Sequence, residues 1–406
     1  MTSDDLDYIA PEHNCDDRRL NRRRFLKNVG KTAAAVTIGA HGLGVMSDTP
    51  AKEAIEQKRT QGASGMNALR YPQVKAYLCN NPRWHKTIRH PFRGDEMTNK
   101  GFPALVVDLK GLPSAGSWKL GATVLNRENR KLVAFESSAA SQDGCIHQSW
   151  ELDDPLPDPW TIHVWAAQES CRFEETTGLR VYRVSGKVTD FDDKPIEAVV
   201  QACVPGVATS TNGTGSYELW LPDRHIPWLM ALDSGYGKST LECWAYDYLP
   251  QSDLELDLRI GQVELYELRA WRGFCGIKID FLPMSVGLVN AMTEGKESAR
   301  DNSISPRLSS KDVEVRLDDK LVDILSLHRR EEICKPGDTP VSYSREEYAL
   351  QVADTGRSPS SPRGSVQVLR VAVRHDLKEA GSSVVERGEG LYLGLRAGVG
   401  VSSGSV

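Results

Sequence analysis

Short runs of alternating apolar and polar positions dominate the chain after residue 100. Ala104-Leu-Val-Val-Asp-Leu109 is a β-favouring run ended by Gly111 and Pro113. Trp118 to Val124 alternates, Arg127-Glu-Asn-Arg130 reads as a hairpin turn, and Leu132 to Phe135 is the return strand. Trp160-Thr-Ile-His-Val-Trp165 alternates again after the Pro-rich turn Asp154–Pro159. A period of two places every other side chain on one face, so each run predicts a half-buried strand.

The same pattern continues downstream. Ser185–Thr189, Ala198–Val204, Ser216–Leu221, Leu241–Tyr246 and Leu254–Leu258 read as strands, followed by Gly261–Leu268 and Gly276–Leu282, two runs that either close this module or open the next. Residues 293–311 are polar and turn-rich, which predicts a linker or long loop. Asp312–Leu317, Leu321–Leu327, Tyr348–Val352 and Val366–Val373 form a last set of strands, interrupted by the Ser/Pro/Gly-rich stretch 356–365. No long amphipathic helix follows residue 65. All nine tryptophans lie between Trp84 and Trp271 and none in the last 135 residues, which argues for distinct modules.

The pattern therefore predicts an all-β chain of tandem β-sandwich modules, of immunoglobulin or prealbumin type, after an N-terminal signal helix. The expected division is a signal segment 1–46, a linker 47–65, a β-sandwich 66–180, a second 181–292, a linker 293–311, a C-terminal β-rich module 312–396 and a tail 397–406.

The start of the second module has a more specific pattern. Val184-Ser-Gly186-Lys-Val188-Thr-Asp190, Pro195-Ile196 and Ala198-x-Val200 precede Thr211-Asn212-Gly213-Thr214-Gly215-Ser216-Tyr217, then Leu219, Leu221 and Pro222. This resembles the carboxypeptidase regulatory-like domain over about 40 residues, with Asp193 where that family usually carries Gly. Gly in the turn 212–215 suits positive φ, and Tyr217, Leu219 and Leu221 share one face of a strand. The resemblance implies a small prealbumin-like sandwich that is normally non-catalytic.

Arg22-Arg23-Arg24-Phe25-Leu26-Lys27 resembles the twin-arginine export signal, with Arg22, Arg23, Phe25, Leu26 and Lys27 carrying the match. A polar lead precedes it, and Asn28–Met46 is a weakly apolar segment with one charge, Lys31. No Ala-x-Ala cleavage site follows. The resemblance implies handling by the twin-arginine (Tat) translocation machinery and a periplasmic or extracellular destination. No stable membrane span is expected unless the signal stays uncleaved.

Residues 1–46 carry seven basic and six acidic residues, so the rest of the chain has a net charge of −6 against −5 for the whole. An acidic chain without a basic run does not suit nucleic acid. Cys79, Cys145, Cys171, Cys203, Cys243, Cys275 and Cys334 are scattered without a Cys-x-x-Cys pair, which argues against zinc ribbons and iron–sulfur ligation.

Candidate chemistry is sparse. The opening of the second module also resembles intradiol ring-cleavage dioxygenases, which implies an iron held by two Tyr and two His. Tyr236, Tyr246, Tyr248 and His225 are available, but His-x-His is missing, so no cofactor is expected. Cys145-Ile-His147 is half of a Rieske ligand set without its second half. His85 and His90 are spaced poorly for chelation. Asp190, Asp192 and Asp193 suit a solvated hairpin better than a calcium loop. The middle module is aromatic-rich, and Trp220, Trp244, Tyr246 and Tyr248 form the candidate binding surface. Strand parity puts Trp220 opposite Tyr217, Leu219 and Leu221, and Trp244 on one face with Tyr246 and Tyr248. These rings have two readings: packing between modules, or stacking on a sugar or neighbouring protein. The combined expectation is an exported non-catalytic protein that binds an envelope protein or carbohydrate. The alternative is an exported enzyme of the intradiol type.

Overall fold

The computed structural model describes residues 72–89, 96–112, 116–168, 171–204, 206–293, 303–334, 343–354, 366–379 and 382–395. The arginine motif at 22–27, the linker expected at 47–65 and the tail 397–406 lie outside them. The fold is all-β, built of stacked sheets. No helix among the described residues is long and apolar enough to cross a membrane.

The first module holds β1 (Gln73–Cys79), β2 (Trp84–Arg89), β3 (Glu96–Gly101), β4 (Ala104–Lys110), β5 (Gly116–Asn126), β6 (Lys131–Ser141), β7 (Cys145–Glu151), β8 (Pro159–Gln168) and β9 (Cys171–Gly178). A sheet ordered β1-β4-β7 packs on a sheet ordered β6-β5-β8-β9, and β2 and β3 form a separate hairpin. The alternation predicted for β5 is realised: Trp118, Leu120, Ala122 and Val124 are fully buried against Leu105, Val107 and Leu109. Burying such side chains stabilises by about 1.5–3 kcal/mol each.

The second module holds β10 (Val181–Thr189), β11 (Ala198–Ala202), β12 (Ala208–Ser210), β13 (Ser216–Pro222), β14 (Ile226–Asp233), β15 (Cys243–Tyr248), β16 (Leu254–Glu255) and β17 (Leu258–Arg259). β10 pairs β13 on one side and the short β16 and β17 on the other, giving one sheet. The facing sheet is ordered β12-β11-β14-β15. Val184, Val200, Leu219, Leu221, Leu229 and Ala245 fill the space between.

The third module holds β18 (Val263–Gly273), β19 (Gly276–Ser285), α1 (Val286–Thr293), β20 (Val313–Leu317), β21 (Lys320–Leu321), β22 (Ile324–Cys334), β23 (Tyr343–Val352), β24 (Leu369–Glu379) and β25 (Ser382–Tyr392). β18-β19-β23-β22 packs over β21-β20-β24-β25, with Phe281 stacked on Tyr348 at 5.6 Å in the core.

Two expected boundaries move. β18 and β19 belong to the third module, because β19 pairs β23 from Ile277–Val352 to Phe281–Tyr348 and their apolar faces fill that module's core. The second module therefore ends near residue 261 rather than at 292. The described part of the expected linker 293–311 is packed, not loose. Ile304 and Leu308 are buried, the Leu308 amide donates to Tyr348 Oη, and that hydroxyl lies 3.0 Å from the Pro306 carbonyl.

The modules are also fused. β25 runs parallel to β15, pairing Trp244 with Gly390 and Tyr246 with Tyr392, so one sheet continues from the second module into the third. At this seam the buried Glu389 carboxylate accepts from Arg259 and from Arg370 Nη1 at 2.9 Å. The first module joins the second through Asn81, the Lys86–Glu197 ion pair and Arg224 lying 4.6 Å from the Tyr77 ring centroid.

Candidate binding face

The turns of the second module are closed by their own side chains. Asp190 Oδ1 accepts from the amides of Asp192 and Lys194 at 2.8 and 2.9 Å. Asp193 adopts φ +58°, the left-handed conformation that Gly takes most easily. Asn212 Oδ1 likewise accepts from the amides of Thr214 and Ser216, and Gly215 sits at φ +76°. Tyr217, Leu219 and Leu221 then point inward, and Tyr217 Oη donates to the Leu256 carbonyl at 2.6 Å, tying β13 to the chain that follows β16.

The four aromatic residues expected to form a binding surface do not lie together. Trp220 is half-buried on the face opposite Tyr217, Leu219 and Leu221, and its Nε1 donates to Glu218 Oε1 at 3.1 Å. Trp244 is only 8% exposed. It stacks on Tyr246 at 5.8 Å and meets Trp228 edge-on at 5.3 Å. Tyr266 from β18 tilts against it at 6.3 Å, and Trp84 from β2 joins the same cluster. This cluster is a seam where three modules meet. Trp244 is packed inside it rather than offered to a ligand.

Tyr248 departs from its expected face altogether. Asp247 adopts φ +58°, which resets the alternation of β15 and turns Tyr248 into the sandwich interior, where it is fully buried. The reset is held from outside: Asp247 Oδ1 lies 2.6 Å from His225 Nε2, and Oδ2 accepts from Tyr392 Oη at 2.6 Å.

The same reset separates the residues that an iron site would need. Tyr246 faces the seam and donates to the Leu265 carbonyl, Tyr248 faces the sandwich core, and His225 is engaged with Asp247. Among the described residues, no three His, Cys, Asp or Glu side chains converge as a metal site. His147 lies on β7 with Nδ1 2.6 Å from Asp108 Oδ1, and His85 is exposed on β2.

An open face lies in the first module instead. The outward side of the β6-β5-β8-β9 sheet carries small and polar residues in register. One row runs Glu136, Gly121, Trp165, Glu174 across the four strands. The row on one side is Ser138, Lys119, Ala167, Arg172, and on the other Ala134, Thr123, His163, Thr176. Glu136, Ser138, Lys119, Arg172, Glu174 and Thr176 are all exposed.

Trp165 is the one large ring in these three rows, and it lies across the neighbouring strand. A Cβ on Gly121 would overlap the Cε2, Nε1 and Cζ2 atoms of the indole, so the absent side chain creates the ring's seat. Arg172 lies over the ring, its guanidinium carbon 5.3 Å from the centroid, with Nε donating to Glu174 Oε1 at 2.6 Å. That hydrogen bond holds the Glu174 carboxyl below its usual range, with His163 at 3.7 Å adding a smaller pull. Strand parity along β8 places His163 and Trp165 on one face. Only the strand register shows that Gly121 lies beneath the ring.

No family model matches the chain, and no curated protein matches it. Among solved structures, the chain is similar to a DUF3823 family protein from Parabacteroides merdae, with 9% identity over 52% of this chain and 98% of the other, at a TM-score of 0.16. A "putative carbohydrate binding protein" from Bacteroides uniformis matches with 8% identity over 52% of this chain and 96% of the other, also at 0.16. The Bacillus anthracis TIE protein matches with 10% identity over 85% of this chain and 60% of the other, at 0.16.

Proposed function

We propose that this chain is an exported, non-catalytic β-sandwich protein of the cell envelope that binds protein or glycan surfaces. The observation that carries the reading is the open sheet face of the first module, which presents one seated indole among exposed polar side chains. An amphipathic indole held among exposed polar side chains offers an apolar face beside hydrogen-bonding groups, a combination suited to contact with a partner. Fusion of the three modules through β25, Glu389 and Asn81 supports the reading, because it holds that face on a rigid frame. The export motif and the regulatory-like pattern of the second module support an extracytoplasmic, non-catalytic role.

Two measurements test the reading. Cell fractionation of the full chain, compared with a chain carrying Arg22→Lys and Arg23→Lys, is expected to move the protein from the periplasm or medium to the cytoplasm. Capture of envelope proteins and binding to a glycan panel by the exported protein are expected to give at least one specific ligand. A chain that stays cytoplasmic, or that binds nothing in either assay, removes the proposal.

A further inference from the structure

We propose that Trp165 is a stacking platform for a pyranose ring of a neutral glycan, with Glu136 and Glu174 as the hydrogen-bond acceptors on either side of it. This rests on the binding reading above and specifies its ligand.

The geometry of the ring comes first. An indole standing up from a sheet offers an edge, but an indole seated over a glycine offers a face. Gly121 is buried beneath Trp165, so one side of the ring is spent on the β5 backbone, and the Arg172 guanidinium lies over the ring 5.3 Å from its centroid. The π-face carries negative charge density and attracts polarised C–H groups. A pyranose presents such C–H groups on its flat side and hydroxyls around its rim. The face supplies partners for that rim. Glu136 and Glu174 sit on the ring's own row, one strand and two strands from Gly121, and carboxylates accept hydroxyl hydrogens in charge-assisted bonds. Ser138, Thr123 and Thr176 surround them as further polar groups. The neighbouring Ala134 and Ala167 are too small to obstruct an approaching chain.

Charge selects the class of glycan. The two residues flanking Trp165 on its row are both acidic, and the Arg172 charge in the next row is already paired with Glu174, so sulfate or uronate groups would meet the like charge of Glu136 there. Arg172 is the group that a sugar must displace. Its side chain is 62% exposed, so it can swing outward into water and gives up a solvent-screened contact with the ring.

The test is affinity electrophoresis of the full chain through gels containing soluble β-glucan, mannan, galactan or xylan, with heparin and alginate as anionic probes. Trp165→Ala, Trp165→Phe and Glu136→Gln are run beside it, each checked for an unchanged thermal transition. The expected result is retardation by at least one neutral polysaccharide and by neither anionic one. Trp165→Ala weakens it by about 20-fold or more, Trp165→Phe by less, and Glu136→Gln by about 5- to 10-fold. Retardation that is equal in Trp165→Ala, or stronger on heparin or alginate, overturns the platform while leaving a binding protein. No glycan binding together with capture of an envelope protein also overturns it and leaves the broader reading intact. Failure of both assays removes both.

Discussion

The side-chain amide of Asn81 pairs with both backbone polar groups of Trp220. Asn81 Nδ2 donates to the Trp220 carbonyl and the Trp220 amide donates to Asn81 Oδ1, each at 2.8 Å. One side chain thus acts as an extra strand residue on the edge of β13 and locks the first module to the second. Asn81 is almost completely buried, so removing it leaves two backbone groups unpaired away from water. Asn81→Ala is expected to cost about 2–3 kcal/mol. Asn81→Asp should cost as much, because it keeps the acceptor but faces the carbonyl with a carboxylate. Urea unfolding followed by circular dichroism checks both, and the first transition should move to lower denaturant.

Trp118 and Trp165 occupy opposite faces of the same sheet, and their substitution should have opposite consequences. Trp118 is fully buried between the sheets of the first module. Trp118→Ala is expected to cost about 3–5 kcal/mol through lost transfer energy and a residual cavity. Trp165→Ala removes a half-exposed ring and should cost about 1 kcal/mol or less, its effect falling on the proposed glycan retardation instead. Thermal melts of the two variants against the parent check the contrast. A Trp165→Ala protein as unstable as Trp118→Ala would make that ring a packing residue.

The sequence was legible where burial follows local alternation and illegible where it follows distant partners. The run Trp118–Val124, the turn Arg127–Arg130 and the inward set Tyr217, Leu219 and Leu221 need only parity and turn chemistry, and the structure holds each as expected. β25 escaped notice because Glu386 and Glu389 look like surface residues. They are buried because Glu389 meets Arg259 and Arg370, and because Glu386 accepts from Ser285 Oγ and the Gly287 amide at the start of α1. Those partners lie up to 130 residues away. Of the two readings of the aromatic candidates, packing between modules holds for Trp244 and Tyr246, for a related reason. Trp244 is covered by rings from two other modules, and the seat of Trp165 is made by a glycine 44 positions earlier, across a strand pair that no periodicity reveals.

Asp247 combines a strained backbone with two side-chain partners, and the two contributions can be separated. Its left-handed φ costs roughly 1–2 kcal/mol in any residue with a Cβ but is nearly free for Gly. Its carboxylate offsets that strain through Tyr392 and His225. Asp247→Ala loses the hydrogen bonds and keeps the strain, whereas Asp247→Gly loses both. Asp247→Ala is therefore expected to be less stable than Asp247→Gly by about 1 kcal/mol, read as the difference in unfolding midpoints. Equal stability would mean that the backbone at 247 relaxes without its carboxylate.

Glu264 sets a pH dependence of the opposite sign to that of a paired carboxylate. It lies between Val263 and Leu265 on β18, faces away from the core those two fill, and is fully buried. Burial pushes its carboxyl well above the ordinary value of 4.5, and a hydrogen bond from the Glu242 backbone pulls it down less. In the unfolded chain the same group ionises near 4.5. Between those two values the native state holds a proton that the unfolded state has released, so stability falls as pH rises. The loss starts near pH 4.5 and continues until the native carboxyl itself ionises. Glu264→Gln keeps the shape and cannot ionise, so it removes this slope. The gain of Glu264→Gln over the parent should be small at pH 5 and grow toward pH 8, in thermal melts taken across that range. A gain that is constant with pH would mean that Glu264 is ionised in the native protein, with its charge balanced by its surroundings.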